Sequence, residues 1–96
     1  MRPSERLRQH RDAVRAIAQR RRVAAIKIFG SAARGQDRED SDLDLLVEPS
    51  EGTTLLDLGA IQSEVSELLG IRVDVVTPGS IPEQARQRVL AEAQPL

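Results

Sequence analysis

Phe29-Gly30-Ser31-Ala32-Ala33-Arg34-Gly35, followed by Ser41-Asp42-Leu43-Asp44-Leu45-Leu46-Val47, is the stretch of this chain that decides its fold. The apolar run Val23–Phe29, with Ile26 and Ile28, reads as a buried strand that stops at a glycine. Residues 30–35 leave that strand through a glycine-flanked turn or a single helical turn. Residues 36–41 are polar and charged and read as a loop. Leu43, Leu45, Leu46 and Val47 then form a second strand. So short a connection makes the two strands antiparallel neighbours.

Working outward, Pro49 to Gly52 breaks the chain, and Thr54 with Asp57 three residues later reads as a helix N-cap with an acidic partner. Leu58, Ile61, Val65, Leu68 and Leu69 follow as a helical stripe that belongs in a core, and Gly70 stops it. Residues 71–76 read as a third strand, residues 77–80 as a turn and residues 82–93 as a final helix with Pro82 in its first turn. Upstream, Leu7, Val14, Ile17 and Ala18 recur at helical spacing, so residues 4–21 read as one helix. The order predicts an α/β domain: a small mixed sheet of about three strands backed by helices, with a parallel crossover through the helix between strands two and three. The whole chain, 1–96, is expected to be one domain. It comprises a basic N-terminal helix (1–22), a core (23–76) and a C-terminal helix (82–96).

Composition narrows the chemistry. The chain has 96 residues and a formal net charge of −1, too short for a catalytic domain plus a separate substrate domain. It has no cysteine, which excludes disulfides, thiolate metal sites and a cysteine nucleophile. His10 is the only histidine and stands among charged residues of the first helix, where a solvated role is expected. Phe29 is the only aromatic residue, which argues against base-stacking platforms. No apolar run approaches the ~20 residues of a membrane span, and the N-terminus leads into a charged helix, so a cytoplasmic protein is expected. The charge is unevenly spread. Residues 1–22 carry +6, residues 23–35 carry +2 and residues 36–96 carry −9. The basic helix could meet a partner, while the acidic body opposes direct nucleic-acid binding.

The acids stand where strand periodicity gives them meaning. Asp42 and Asp44 project to one face of the second strand while Leu43 and Leu45 enter the core. Two carboxylates at one strand edge repel each other unless a divalent cation lies between them. Asp74, between Val73 and Val75, is the odd residue of the third strand. If the second and third strands pair, three carboxylates converge, an oxygen-only set of the kind Mg²⁺ prefers. Just upstream, Gly30 lets the backbone approach a bound group, and the Ser31 hydroxyl with neighbouring N–H groups would favour phosphate oxygens. Arg34 could add a bidentate phosphate contact, or could cap the turn. A phosphate cradle beside a two-cation carboxylate cluster is suited to in-line displacement at phosphorus.

These residues carry a resemblance. Gly30-Ser31, ten residues, then Asp42-Leu43-Asp44 resembles the Gly-Ser-x10-Asp-x-Asp signature of the DNA polymerase beta-like nucleotidyltransferase superfamily. The fuller runs 29–35 and 41–47 look like its smallest branch, the minimal nucleotidyltransferases. The likeness covers residues 23–76, and Asp74 falls where the family carries its third carboxylate.

The resemblance implies a polymerase beta-like fold and a set of roles. Asp42 and Asp44 would bind two Mg²⁺ ions. Asp74 would bind one of them and help deprotonate the acceptor hydroxyl. Gly30 and Ser31 would hold the β- and γ-phosphates of ATP, and Arg34 would face either the triphosphate or the acceptor. It further implies an antitoxin that transfers AMP from ATP to a tyrosine of a HEPN-domain ribonuclease toxin. Asp37 departs from the family pattern, which often has a small residue there.

Each feature also has a plainer reading. An Asp-x-Asp pair can be two solvated acids, Asp74 can pair with Arg72 or the N-terminal arginines, and the arginine-rich helix can be a solvated face. Three functions therefore stand at this point. The first is a nucleotidyltransferase acting on a partner protein. The second is a binding module that neutralises its partner by occlusion. The third is a transferase of small molecules such as antibiotics, which would need a pocket that so short a chain does not supply alone.

Overall fold

A computed structural model describes all residues, Met1–Leu96. The elements in chain order are α1 (Pro3–Gln9), α2 (Arg11–Arg20), β1 (Val23–Phe29), α3 (Gly30–Ala33), β2 (Leu43–Pro49), α4 (Leu55–Leu69), β3 (Val73–Val76), a 3₁₀ turn (Pro78–Ser80), α5 (Glu83–Glu92) and β4 (Gln94–Pro95). The strands form one mixed sheet in the order β3-β2-β1-β4. β1 and β2 are antiparallel, and β2 and β3 are parallel through the α4 crossover, as the connection lengths require.

β2 lies in the middle, and its sequence shows why. Leu43, Leu45, Leu46 and Val47 are all fully buried. Leu43, Leu45 and Val47 join the main core with Leu7, Val14, Ile17, Ile61, Val65 and Leu69 from α1, α2 and α4. Leu46 turns to the opposite face and packs with Ile81 and Val89, under α5. Covering both faces turns an alternating strand into the continuous apolar run Leu45–Val47. Burying each such side chain contributes about 1.5–3 kcal/mol. The caps of α4 follow the sequence reading. Thr54 Oγ1 accepts from the Asp57 N–H at 3.2 Å, the Asp57 carboxylate accepts from the Thr54 N–H at 2.9 Å, and Gly70 closes the helix with φ +67°.

Four expectations are corrected. The N-terminal helix is two helices, interrupted at His10, whose φ of −118° and ψ of 23° leave the helical region. The leading turn is fixed from outside: Asp37 accepts from the backbone N–H of Ser4 at 2.8 Å and from its hydroxyl at 3.0 Å. The sheet has a fourth strand, because the chain after α5 turns back and pairs Gln94 and Pro95 with Ile28 and Lys27. The C-terminal helix accordingly ends at Glu92 instead of running on towards residue 96. β3 is shorter than residues 71–76, although the Arg72 carbonyl already accepts from the Leu43 N–H at 2.9 Å.

Candidate functional site

The site lies where β1 ends and β2 begins. Phe29 is the register partner of Asp44, so the residue after Phe29 arrives beside that carboxylate. That residue is Gly30, with φ +73°. A Cβ built there would overlap Asp44 Oδ2 and lie 3.2 Å from Asp44 Cγ. Glycine is therefore required twice, for its backbone conformation and for the space the carboxylate occupies. Gly30 then opens the single helical turn α3, on which Ser31 stands half-buried, its hydroxyl unengaged by any other group of the chain.

The carboxylates come together as strand pairing demands. Asp44 and Asp74 are register partners across β2 and β3. Asp44 shares its face with Leu46, and Asp42 lies two residues earlier on that face, just before the strand proper. Asp44 is half-buried and Asp74 exposed. Burial pushes the Asp44 carboxyl above its ordinary range, and the negative charges of Asp74 and Asp42 push it further. Neither Asp44 nor Asp74 is engaged in an ion pair. Asp42 has a loose one, 3.8 Å from Arg72, an arginine whose side chain is 85% exposed. That spacing and exposure make it worth little. Arg72 thus neighbours Asp42, and neither it nor an N-terminal arginine pairs with Asp74. The three acids are neighbours without closing into a three-ligand cluster.

The donor set fits a divalent cation by its chemistry. It is oxygen-only, it concentrates negative charge at a partly desolvated spot, and its central carboxylate is raised in pKa by burial first and by the neighbouring acids next. Asp42, Asp44 and Asp74 are the residues that could hold such ions.

Arg34 and Gly30 meet a residue that sequence reasoning missed. Glu92, the last residue of α5, accepts from the Gly30 N–H at 3.2 Å through Oε1 and pairs with Arg34 Nη1 at 3.0 Å through Oε2. Arg34 also donates from Nε to Gln36 Oε1 at 3.2 Å. The Gly30 N–H is therefore occupied, and the polar groups of this turn that stay free are those of Ser31 and the remaining edge of Arg34. Asp37, noted in the sequence only as a departure from the family pattern, has a structural role that the sequence did not show. It is the one acidic side chain that is fully buried, held by Ser4 and 3.7 Å from Arg2 Nη1. Nothing local marks either residue: their partners lie 62 and 33 positions away.

Several known proteins are similar to this chain. The nucleotidyltransferase domain family matches residues 7–96. A relative in Methanocaldococcus jannaschii, named for protein adenylyltransferase activity, is 48% identical over 71 residues, which cover 74% of this chain and 76% of its own. The protein adenylyltransferase MntA of Thermococcus cleftensis is 40% identical over 70 residues, 73% of this chain and 71% of its own. A solved structure described as a minimal nucleotidyltransferase superposes with a TM-score of 0.87 at 46% identity, covering 97% of this chain and 95% of that one. A toxin–antitoxin structure with AMP-PNP superposes with a TM-score of 0.74 at 19% identity, covering 88% of this chain and 69% of that one, and shares the fold.

Proposed function

Because the chain belongs to the nucleotidyltransferase domain family, we propose that it is a protein adenylyltransferase that moves AMP from ATP to a hydroxyl of a partner protein and so acts as an antitoxin. The finer reading is that the partner is a HEPN-domain toxin, the hydroxyl a tyrosine, and the cofactors two Mg²⁺ ions. The observation that carries it is the Asp44 carboxylate. It is half-buried, raised in pKa by that burial and then by Asp74 and Asp42, and seated against a glycine where a Cβ would overlap it. The relatives' names support the choice of a protein acceptor.

In this reading Asp42, Asp44 and Asp74 would hold the cations. The cations, when bound, supply charge neutralisation for the phosphates and acidify the acceptor hydroxyl. Ser31 donates its hydroxyl hydrogen to a phosphate oxygen, and Arg34 offers the N–H groups left free by Gln36 and Glu92. Asp74, exposed at the edge strand, takes the acceptor's proton on a carboxylate oxygen. The acceptor oxygen bonds to the α-phosphorus, the bond from that phosphorus to the β-bridging oxygen breaks, and pyrophosphate leaves. No helix is long and apolar enough to cross a membrane, and a donor of ATP's class suits a cytoplasmic site of action.

The test is intact-mass spectrometry of a co-expressed partner, or of candidate acceptor proteins, after incubation with ATP and Mg²⁺, using wild type and Asp42→Ala. A gain of one or more AMP units with wild type alone is expected. No gain, together with full neutralisation by Asp42→Ala at equal expression, would replace transfer with occlusion.

A further inference from the structure

Glu92 hydrogen-bonds to no residue of the carboxylate set, although its charge is felt at Asp44, and it grips two parts of the phosphate side. Its carboxylate bridges the Gly30 N–H at 3.2 Å and Arg34 Nη1 at 3.0 Å. It reaches there from the C-terminal end of α5, which is anchored by Val89 under Leu46, and by β4 immediately afterwards. Gln94 Nε2 adds a bond to the Ala33 carbonyl at 3.3 Å, on the last residue of α3. The whole turn 30–34 is thus held from the far end of the chain.

The consequence for Arg34 is specific. An arginine carries substantial rotamer entropy, which an incoming anion must overcome when the side chain is free. Here Nε is held by Gln36 and Nη1 by Glu92, on two sides of a planar group. Both Nη2 hydrogens remain to be presented, and the plane is already set. A carboxylate that merely neutralised Arg34 would not also need the Gly30 N–H. The two bonds together lock the guanidinium to the backbone turn that precedes Ser31.

We propose that Glu92 is a positioning residue for polyphosphate binding: it orients Arg34, and with it the Gly30–Ser31 turn, towards the β- and γ-phosphates of the donor. This rests on the assignment of Ser31 and Arg34 to the phosphates. Glu92 does not itself touch substrate. It acts through Arg34.

The experiment is calorimetric binding of ATP, inorganic tripolyphosphate and AMP, each with Mg²⁺, to wild type, Glu92→Gln, Arg34→Ala and the double variant. Melting temperatures are taken alongside. Glu92→Gln keeps an acceptor for Gly30 and loses the ion pair. The expected result is about tenfold weaker binding of ATP and tripolyphosphate, the size of one charge-assisted bond. AMP binding should be unchanged, and Glu92→Gln should have no further effect in the Arg34→Ala background. A merely structural role would weaken AMP and ATP alike, or lower the melting temperature with affinity intact, and would overturn the proposal. Tighter ATP binding by Glu92→Gln would overturn it too, showing that the carboxylate competes with phosphate. Wild type that binds AMP but not tripolyphosphate would remove the phosphate assignment itself. That failure differs from one in which Arg34→Ala weakens ATP binding and Glu92→Gln does not.

Discussion

Asp44 and Asp74 stand opposite each other on the parallel strands β2 and β3, two carboxylates facing one another with no cation of the chain between them. The Asp44 carboxyl is raised above its ordinary value of 3.8 by burial first and by Asp74 next. For an acid raised in the folded state, the folded protein binds the proton more tightly. Stability is therefore lost as pH rises from the ordinary value through the raised one, and the penalty is complete above it. Asp44→Asn should raise the melting temperature of the metal-free protein at neutral pH, with the difference vanishing below about pH 3.8. The same variant should lose at least about a hundredfold in AMP transfer. Thermal melts across pH, with and without Mg²⁺, check it: wild type should gain stability from Mg²⁺ and Asp44→Asn should not.

Gly30→Ala meets both a left-handed backbone and the Asp44 carboxylate. The conformation alone costs about 1–2 kcal/mol for a residue with a Cβ. The overlap must also push Asp44 away from its position. The variant should fold, melt lower by several degrees and lose transfer by about a hundredfold or more. Circular dichroism melts and the mass assay read the two effects separately.

Removing the Asp37 carboxylate leaves the backbone N–H and hydroxyl of Ser4 without their acceptor at the start of α1. Asp37→Ala should cost about 1–3 kcal/mol in urea unfolding. Asp37→Asn, which keeps one acceptor oxygen, should cost less. Equal losses would mean that the charge facing Arg2, and not the cap, holds the helix.

Acid should loosen the caps and the surface pairs. Hydrogen bonds from the Thr54 backbone and hydroxyl hold Asp57 below its usual range, and Arg21 does the same for Glu64. For acids lowered in the folded state, the contribution is present above the ordinary values of 3.8 and 4.5 and is lost as pH falls through the lowered ones. Asp57→Asn should flatten the acid limb of the stability profile below about pH 4. An unchanged limb would remove Asp57 from the titration.

Much of the fold is legible in the sequence because it is local. The order of strands and helices follows from periodicity, and the cap at Thr54 and stop at Gly70 from residue type, whereas the close approach of Gly30 to Asp44 comes from the β1–β2 register. The pairing of Asp44 with Asp74 needed only the parallel crossover. What stayed hidden is non-local. Asp37 looks like one acid among several in a polar loop, and its burial depends on where α1 docks. Glu92 looks like a solvated residue of a surface helix until α5 crosses the sheet. β4 holds two residues, one of them a proline, and has no strand signature at all. The interruption at His10 leaves the apolar spacing of Leu7, Val14 and Ile17 intact, so periodicity reads through it.

The brevity of β4 bears on how these molecules behave in concentrated solution. It covers only Lys27 and Ile28 along the outer border of β1. Pro95 lacks an N–H and cannot extend a ladder outward. Unpaired strand borders invite self-association into growing sheets, and a proline cover beside a lysine is a common defence against it. Gln94 and Pro95 thereby blunt one stretch of one border of the sheet, at Lys27 and Ile28, while β3 forms the opposite border.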